Sequence, residues 1–460
     1  MDKLLWKEIT EFEFDTQETG EYDFATRLAK ENYWTKNFTT KAILEYKKFM
    51  YLAATNYVMV SPSEIVDIVW HQHLIFTKSY NAFCVLLKKK IQHIPSTHNK
   101  TEFNKFKEAK TKTKNLYRST FGDQPTDIWD KNTIFDSLNL PKAPIKLRTF
   151  ILLAFLFFAV ITIPLLELMK PIYLSIKNPF FMKSYLIAIF IVFILLKIIN
   201  RLVLKNILNK FDKNSFIFNL EPIEMVYLKT QNIANSVHGV VSTLINNRTI
   251  VTYQTKHLDF NRKTEKQYTI EQEQVINTSK EIGKTLYPVL LRQLITKPVF
   301  TNITSSLDAL QKHLIKSKKF AILYYFNFFV LGFLFEYGLL RLLTGYFRGK
   351  PITIIAVVLF ILAIIIIFHL HQLTFLMVKT TIPKYYKDKI LTSAKKLENP
   401  DWNYFLIGVY ALSTAFIPLV QHIIKSSSSG NYHDTSCSSC SSCSSCSSCS
   451  SCSSCGGCGD

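Results

Sequence analysis

At 460 residues the chain is long enough for two or three folded units, and its 55 Lys and Arg against 34 Asp and Glu give a formal charge of +21. That excess would suit nucleic acid or anionic lipid, but the apolar residues are gathered into blocks of membrane-spanning length with basic flanks, so a lipid bilayer is the expected partner and nucleic acid is disfavoured. Eight of the nine cysteines lie in the last two dozen residues, so the folded units are not expected to depend on disulfides.

The N-terminus, Met1-Asp-Lys-Leu-Leu-Trp-Lys-Glu8, is polar within a few residues. It lacks the apolar region and cleavage site of a signal peptide, which predicts a cytoplasmic first unit. Residues 1–147 read as a helical domain. Residues 24–34 and 41–56 carry apolar positions at helical spacing, Ser61-Pro62-Ser63 supplies a helix start, and residues 100–121 predict a further helix stopped by Gly122 and Pro125. Pro141 and Pro144 mark a linker.

Within that domain, Ile65-Val-Asp-Ile-Val-Trp-His-Gln-His-Leu74 gathers a carboxylate, an indole and two imidazoles, and Tyr80, Cys84 and His93 follow. On a helix Asp67 and His71 are neighbours, a spacing that lets a carboxylate fix an imidazole tautomer. His73, Thr77, Tyr80 and Cys84 form a second stripe. His71 and His73 point about 200° apart, so they share a metal only where the helix ends or distorts. Three readings stand side by side. Asp67, Trp70, His71, His73, Tyr80, Cys84 and His93 make a hydrogen-bonded helical core or binding surface; His73, Cys84 and His93 hold a metal; or Asp67, His71, His73 and Cys84 form an active site.

The surrounding motifs are Glu45-Tyr-Lys-Lys-Phe49, Ser61-Pro-Ser63, Asp67-x-x-Trp-His-x-His73, Thr77, Tyr80, Cys84, His93 and Phe121-Gly122-x-x-Pro125-x-Asp-Ile-Trp129. In order and spacing they resemble the glycine-rich domain-containing protein-like family over about residues 20–130. The resemblance brings no catalytic or ligand assignment with it.

Two apolar stretches, 149–169 and 184–199, are long enough to cross a bilayer, which takes roughly 20 residues. Pro164 is expected to kink the first, and residues 170–183 to join them as a hairpin. A third span is expected at 320–343, interrupted by Glu336 and Arg341, and a fourth at 352–375, where His369 and His371 are expected as an interfacial pair. Residues 404–424 read as a fifth span, or as a segment that does not insert, so that 320–424 holds two or three spans. With the N-terminus inside, five spans divide the flanking Lys and Arg 18 inside against 7 outside, in accord with the positive-inside rule.

Between the span pairs, residues 205–318 predict a second cytoplasmic unit. Pro222 opens a helix, Val237, Val240, Val241, Leu244 and Ile245 give the next one an apolar stripe, and residues 249–253 have strand composition. The expected unit is small, α+β and winged-helix-like, and better suited to binding protein than DNA. From Leu220 through Arg341-Leu-Leu-Thr-Gly-Tyr-Phe-Arg-Gly-Lys-Pro351 to the tail, the chain is similar to an uncharacterised bacterial membrane-protein family with a Gly- and Cys-rich C-terminus. That similarity implies a bacterial inner membrane.

Residues 426–460 are low-complexity. Cys437, Cys440, Cys443, Cys446, Cys449, Cys452, Cys455 and Cys458 recur every three residues. The tail is expected to be disordered, and its C-x-x-C spacing suits a thiophilic metal or thiol redox chemistry. After an odd number of spans it would lie outside the cytoplasm. No phosphate loop, zincin motif or nucleophile elbow is present. The expectation is a mainly α, multi-span, non-enzymatic scaffold that binds other proteins through its cytoplasmic domains; a metal-handling or redox tail is the alternative.

Overall fold

The computed structural model of the chain describes residues 1–15, 22–94, 100–252, 257–261, 267–391, 400–421 and 423. The fold is mainly helical. Its first unit holds α1 (Lys3–Glu11), α2 (Phe24–Asn32), α3 (Lys36–Thr55), α4 (Glu64–Ile75), α5 (Thr77–Leu86), α6 (Lys100–Phe121) and α7 (Thr126–Trp129). Local chemistry sets several starts. Asp2 accepts from the N–H groups of Leu4 and Leu5, Asp23 from that of Thr26, and Ser63 from that of Val66, each satisfying a donor the helix leaves orphaned.

Among the described residues, four helices are long and apolar enough to cross a membrane: α8 (Leu147–Ser175), α9 (Asn178–Leu208), α15 (Lys318–Phe347), and α16 (Thr353–Leu376), which continues through a π-helical turn and α17 (Ile382–Tyr385) to Ile390. α8, α9 and α15 exceed the expected spans at both ends, and α16 at its C-terminal end. α8 runs through Pro164 and Pro171, and only Ile176 and Lys177 separate it from α9. α15 is half buried, whereas α8, α9 and α16 present most of their apolar surface outward. The least apolar helix takes the centre, where its Asn327 finds partners. Asn327 exchanges side-chain hydrogen bonds with Asn200 at 2.7 and 2.9 Å, and His369 lies 3.1 Å from the Asn327 Oδ1. His369 is therefore turned into the bundle and not paired with His371 at an interface. At Gly332 a Cβ would meet the Phe158 ring, so the glycine sets how closely α8 approaches α15.

The second unit comprises α10 (Pro222–Thr230), α11 (Ile233–Asn246), β1 (Ile250–Thr252), β2 (His257–Phe260), α12 (Ile270–Ile282), β3 (Thr285–Leu286), α13 (Tyr287–Leu294) and α14 (Pro298–Ile315). The strands form one antiparallel sheet in the order β1-β2-β3, with Val251 opposite Asp259 and Leu258 opposite Thr285. This unit docks on the first through α3. Lys36 pairs with Glu271 at 2.7 Å, its backbone N–H donates to Glu224, and Asn37 donates to the Asn219 carbonyl. Burial pushes the Glu224 carboxyl up to about 7, against the pull of the Glu221 and Lys36 N–H groups.

Among the described residues, the expected fifth span is not a helix of membrane-crossing length. Residues 404–421 belong to α18 (Pro400–Ile407), a 3-10 turn and a short helical segment, all packed on the second unit. Asp401 accepts from Thr243, the Ser413 N–H donates to Ser242, Phe416 meets Tyr287 at 4.7 Å, and Tyr404 fills the space over Gly239. Gly408, at φ +64°, and the non-helical residues around Ser413 break the helix, Pro418 sits in the first turn of the segment that follows, and Tyr404 packs over Gly239 of α11.

One buried core runs from Ile9 to Val420, through both units and the near half of the bundle; a second, around Tyr173, Phe181 and Tyr185, closes the far end. Both units, and residues 400–421, sit at the same end. The Lys318 N–H donates to the Pro141 carbonyl, that of Asp212 to Ser137, and that of Leu220 to the Tyr386 hydroxyl.

A buried histidine in this body makes a measurable pH term. His238, on α11, lies against the Tyr287 hydroxyl, and burial lowers its pKa to about 4. The unfolded imidazole takes up a proton below about 6.5 and the folded one does not, so its contribution is complete above that pH and is lost as pH falls toward 4. The stability deficit of His238→Gln relative to the wild type is expected to narrow by about 2 kcal/mol between pH 7 and pH 5. Unfolding curves of both chains in detergent at the two pH values test this; a deficit that does not change with pH contradicts it.

Candidate functional site

The stretch on α4 divides its polar groups between two sides of the helix. His73 faces inward with no exposed surface, its Nδ1 2.9 Å from the Tyr46 hydroxyl and its Nε2 3.2 Å from the Ser79 Oγ. Phe14, Phe24, Tyr80 and Phe83 surround the ring edge-on or tilted. Burial holds its pKa down at about 3, so the imidazole is neutral and both nitrogens are occupied. Trp70 is buried against Phe49 and donates from Nε1 to the Tyr80 hydroxyl at 3.2 Å. Tyr80 donates in turn to the Ile91 carbonyl, and burial pushes its phenol up to about 12. Cys84 is buried and free.

On the outer side stand Asp67 and His71, one turn apart on α4. The third member comes from the extended residues 91–94 after α5. There Lys88 turns the chain at φ +53°, Lys89 Nζ bonds the Ala53 and Asn56 carbonyls at 2.7 and 2.9 Å, and Tyr80 holds Ile91. This anchoring returns His93 over α4. Its Nε2 lies 3.0 Å from Asp67 Oδ1, and His71 Nδ1 lies 3.5 Å from Asp67 Oδ2. One ligand atom from each of the three lies within 4.8 Å of the others, the only such His/Cys/Asp/Glu group among the described residues. Ligand atoms around a tetrahedral ion with bonds of about 2.0–2.1 Å are about 3.3 Å apart. The arrangement therefore needs little movement to close on an ion.

A cavity of about 450 Å³ opens beside the trio, lined by Asp67, Trp70 and His93 together with Ser61, Glu64 and Phe106. The side chains of His93, Asp67 and His71 are 16 %, 28 % and 55 % exposed, so solvent or a small ligand reaches the group. Two imidazoles and one carboxylate suit zinc and the neighbouring transition metals better than magnesium or calcium, which prefer all-oxygen shells.

The metal set expected from the sequence, His73, Cys84 and His93, is not brought together. His93 joins Asp67 and His71 instead, because His73 points into the core on the opposite side of α4. The cysteines from Cys437 to Cys458 lie outside the described residues. A second buried network was legible only as motif residues. Glu45 Oε2 accepts from Tyr117 Oη and Trp129 Nε1, both at 2.7 Å, Oε1 accepts from Lys48 at 2.8 Å, and Lys41 pairs with Asp127 at 2.7 Å. The glutamate of one motif and the tryptophan of another thus fasten α3, α6 and α7 together. No protein-family model, curated protein or solved structure matches the chain.

Proposed function

We propose that the chain is a multi-pass membrane scaffold whose soluble body carries a transition-metal site made by Asp67, His71 and His93. The observation that carries this reading is the convergence of three ligand atoms within 4.8 Å at the edge of an accessible cavity. Three protein ligands leave a coordination position free for water or a small molecule. The two docked units supply a broad protein-binding surface, and the winged-helix-like reading of residues 205–318 is retained only in that protein-binding sense. The resemblance of residues 20–130 to the glycine-rich domain-containing protein-like family is part of the same proposal, supported by the structural use of Glu45, Asp127 and Trp129.

The deciding experiment uses the chain with the eight cysteines from Cys437 to Cys458 replaced by Ser, so that the tail offers no thiol ligand. Metal analysis after dialysis against zinc is expected to find one ion per chain. Zinc bound by the unaltered chain but lost from the serine-tail chain would transfer the metal function to the tail. No zinc in either rejects the site.

The same proposal places the protein in a bacterial inner membrane with both soluble units in the cytoplasm. Four spans are an even number, so the tail returns to the side of the N-terminus. Moving Lys425 inside changes the basic split from 18 against 7 to 19 against 6, a stronger bias in the same sense. A membrane-impermeant thiol reagent is expected to label the tail only after spheroplasts are lysed. Labelling of intact, reduced spheroplasts would restore an odd number of spans and an external tail.

A further inference from the structure

We infer that the cavity at the far end of the helix bundle, where Arg341, Arg348 and Lys350 meet the α8–α9 turn, binds the phosphate headgroup of an anionic lipid. The inference rests on reading the four helices as membrane spans and is independent of the metal site.

The cavity measures about 470 Å³ and is walled by the ends of α8, α9, α15 and α16. Arg341, Arg348 and Lys350 line it, and no carboxylate does. Arg341 is fixed in place: its Nη1 donates to the Tyr173 carbonyl, its Nη2 to that of Ile176 at 3.0 Å, and its guanidinium lies 4.9 Å from the centre of the Phe181 ring. Arg348 and Lys350 are exposed on the loop before α16. They have no ion-pair partner among the described residues. Three cations around one cavity attract an anion, and the planar guanidinium forks suit phosphate oxygens. The first turn of α16 lines the same space without a side-chain cap, which adds the positive end of a long helix to the charge already there.

The apolar walls decide which phosphate. Leu174, Ile352 and Ile355 line the cavity beside the cations, and the flanking helix surfaces carry exposed Ile172, Phe180 and Ile354. A free inorganic phosphate would use only the charged half of this site. A lipid uses both, placing its headgroup among the cations and its acyl chains along the outward-facing helices at the bilayer edge. A zwitterionic lipid would bring its own cation into an already positive cavity.

Native mass spectrometry of the full chain in detergent, titrated with phosphatidylglycerol or phosphatidylcholine, tests the site. The wild type is expected to retain one phosphatidylglycerol with about tenfold or greater preference, and Arg348→Gln with Lys350→Gln to abolish that preference. Arg341 is left intact because it holds the α8 end. Lys170→Gln with Lys183→Gln removes two cations from the same end of the bundle but outside the cavity, and is expected to keep the preference. Equal retention of both lipids, or equal loss in the two double variants, overturns the inference. So does a rise in melting temperature with millimolar inorganic phosphate as large as that with phosphatidylglycerol, which would make this a soluble-anion site. Extraction at high pH is read on the membranes before they are dissolved in detergent. Release of the protein overturns the span reading itself, whereas a membrane-retained protein without lipid preference overturns the headgroup site alone.

Discussion

Replacing Asp67 or His93 by Ala in the serine-tail chain is expected to lower zinc affinity by at least about a hundredfold, because losing merely an outer partner of a ligating His already costs about 10–100-fold. The unliganded Asp67→Ala chain should melt close to the parent, since Asp67 keeps 28 % of its side chain exposed and, among the described residues, accepts from no backbone group. What disappears is the stabilisation by metal. Zinc at a hundred times its dissociation constant stabilises a folded chain by about 2.7 kcal/mol, and that rise in melting temperature should be present in the parent and absent in both variants. Cys84→Ser supplies the control, because the thiol lies outside the trio and its loss should leave zinc binding intact. A Cys84→Ser chain that loses zinc while Asp67→Ala retains it would return the site to the other set of ligands. Titration calorimetry and thermal melts on the same preparations read both quantities.

The largest expected loss of stability comes from Glu45→Ala. Its carboxylate is 3 % exposed and accepts from the Tyr117 hydroxyl, the Trp129 indole and the Lys48 ammonium. Removing it strands two buried donors and a mostly buried cation, a situation that costs about 3–5 kcal/mol. Glu45→Gln retains an acceptor without the charge and should fall between alanine and the wild type. Zinc binding should survive in the glutamine variant, since Glu45 fastens α3 to α6 and α7 and touches none of the three ligands. A Glu45→Ala chain that unfolds within about 1 kcal/mol of the parent would show that the network is compensated by water, and the motif would then need another explanation.

Much of the helical architecture was legible because it rests on short-range rules. The helix at Lys100–Phe121 ends where Gly122, at φ +87°, makes the turn, and Ser63 caps α4 as its residue type suggests. The four long apolar helices announce themselves by composition alone. Asp67 and His71 could be paired from the sequence because a separation of four residues is a neighbour relation on any α-helix. By the same rule His73 had to point elsewhere.

Tertiary structure decided whatever depended on contacts between distant segments. His93 is separated from Asp67 by 26 positions, and the Lys88 turn, the Lys89 bonds to the end of α3 and the anchoring of Ile91 by Tyr80 choose it over His73 and Cys84 as the third member of the group. Residues 404–424 are apolar enough to resemble a span. Whether such a segment enters a bilayer or a protein core depends on whether a groove awaits it, and here α11 presents Gly239 and Ser242 to receive it. His369 looked interfacial beside His371 until Asn327, 42 positions away, supplied its partner. Composition and periodicity settle what a segment does with its own backbone hydrogen bonds and apolar face, but a buried polar group is satisfied by whichever partner the rest of the chain brings to it.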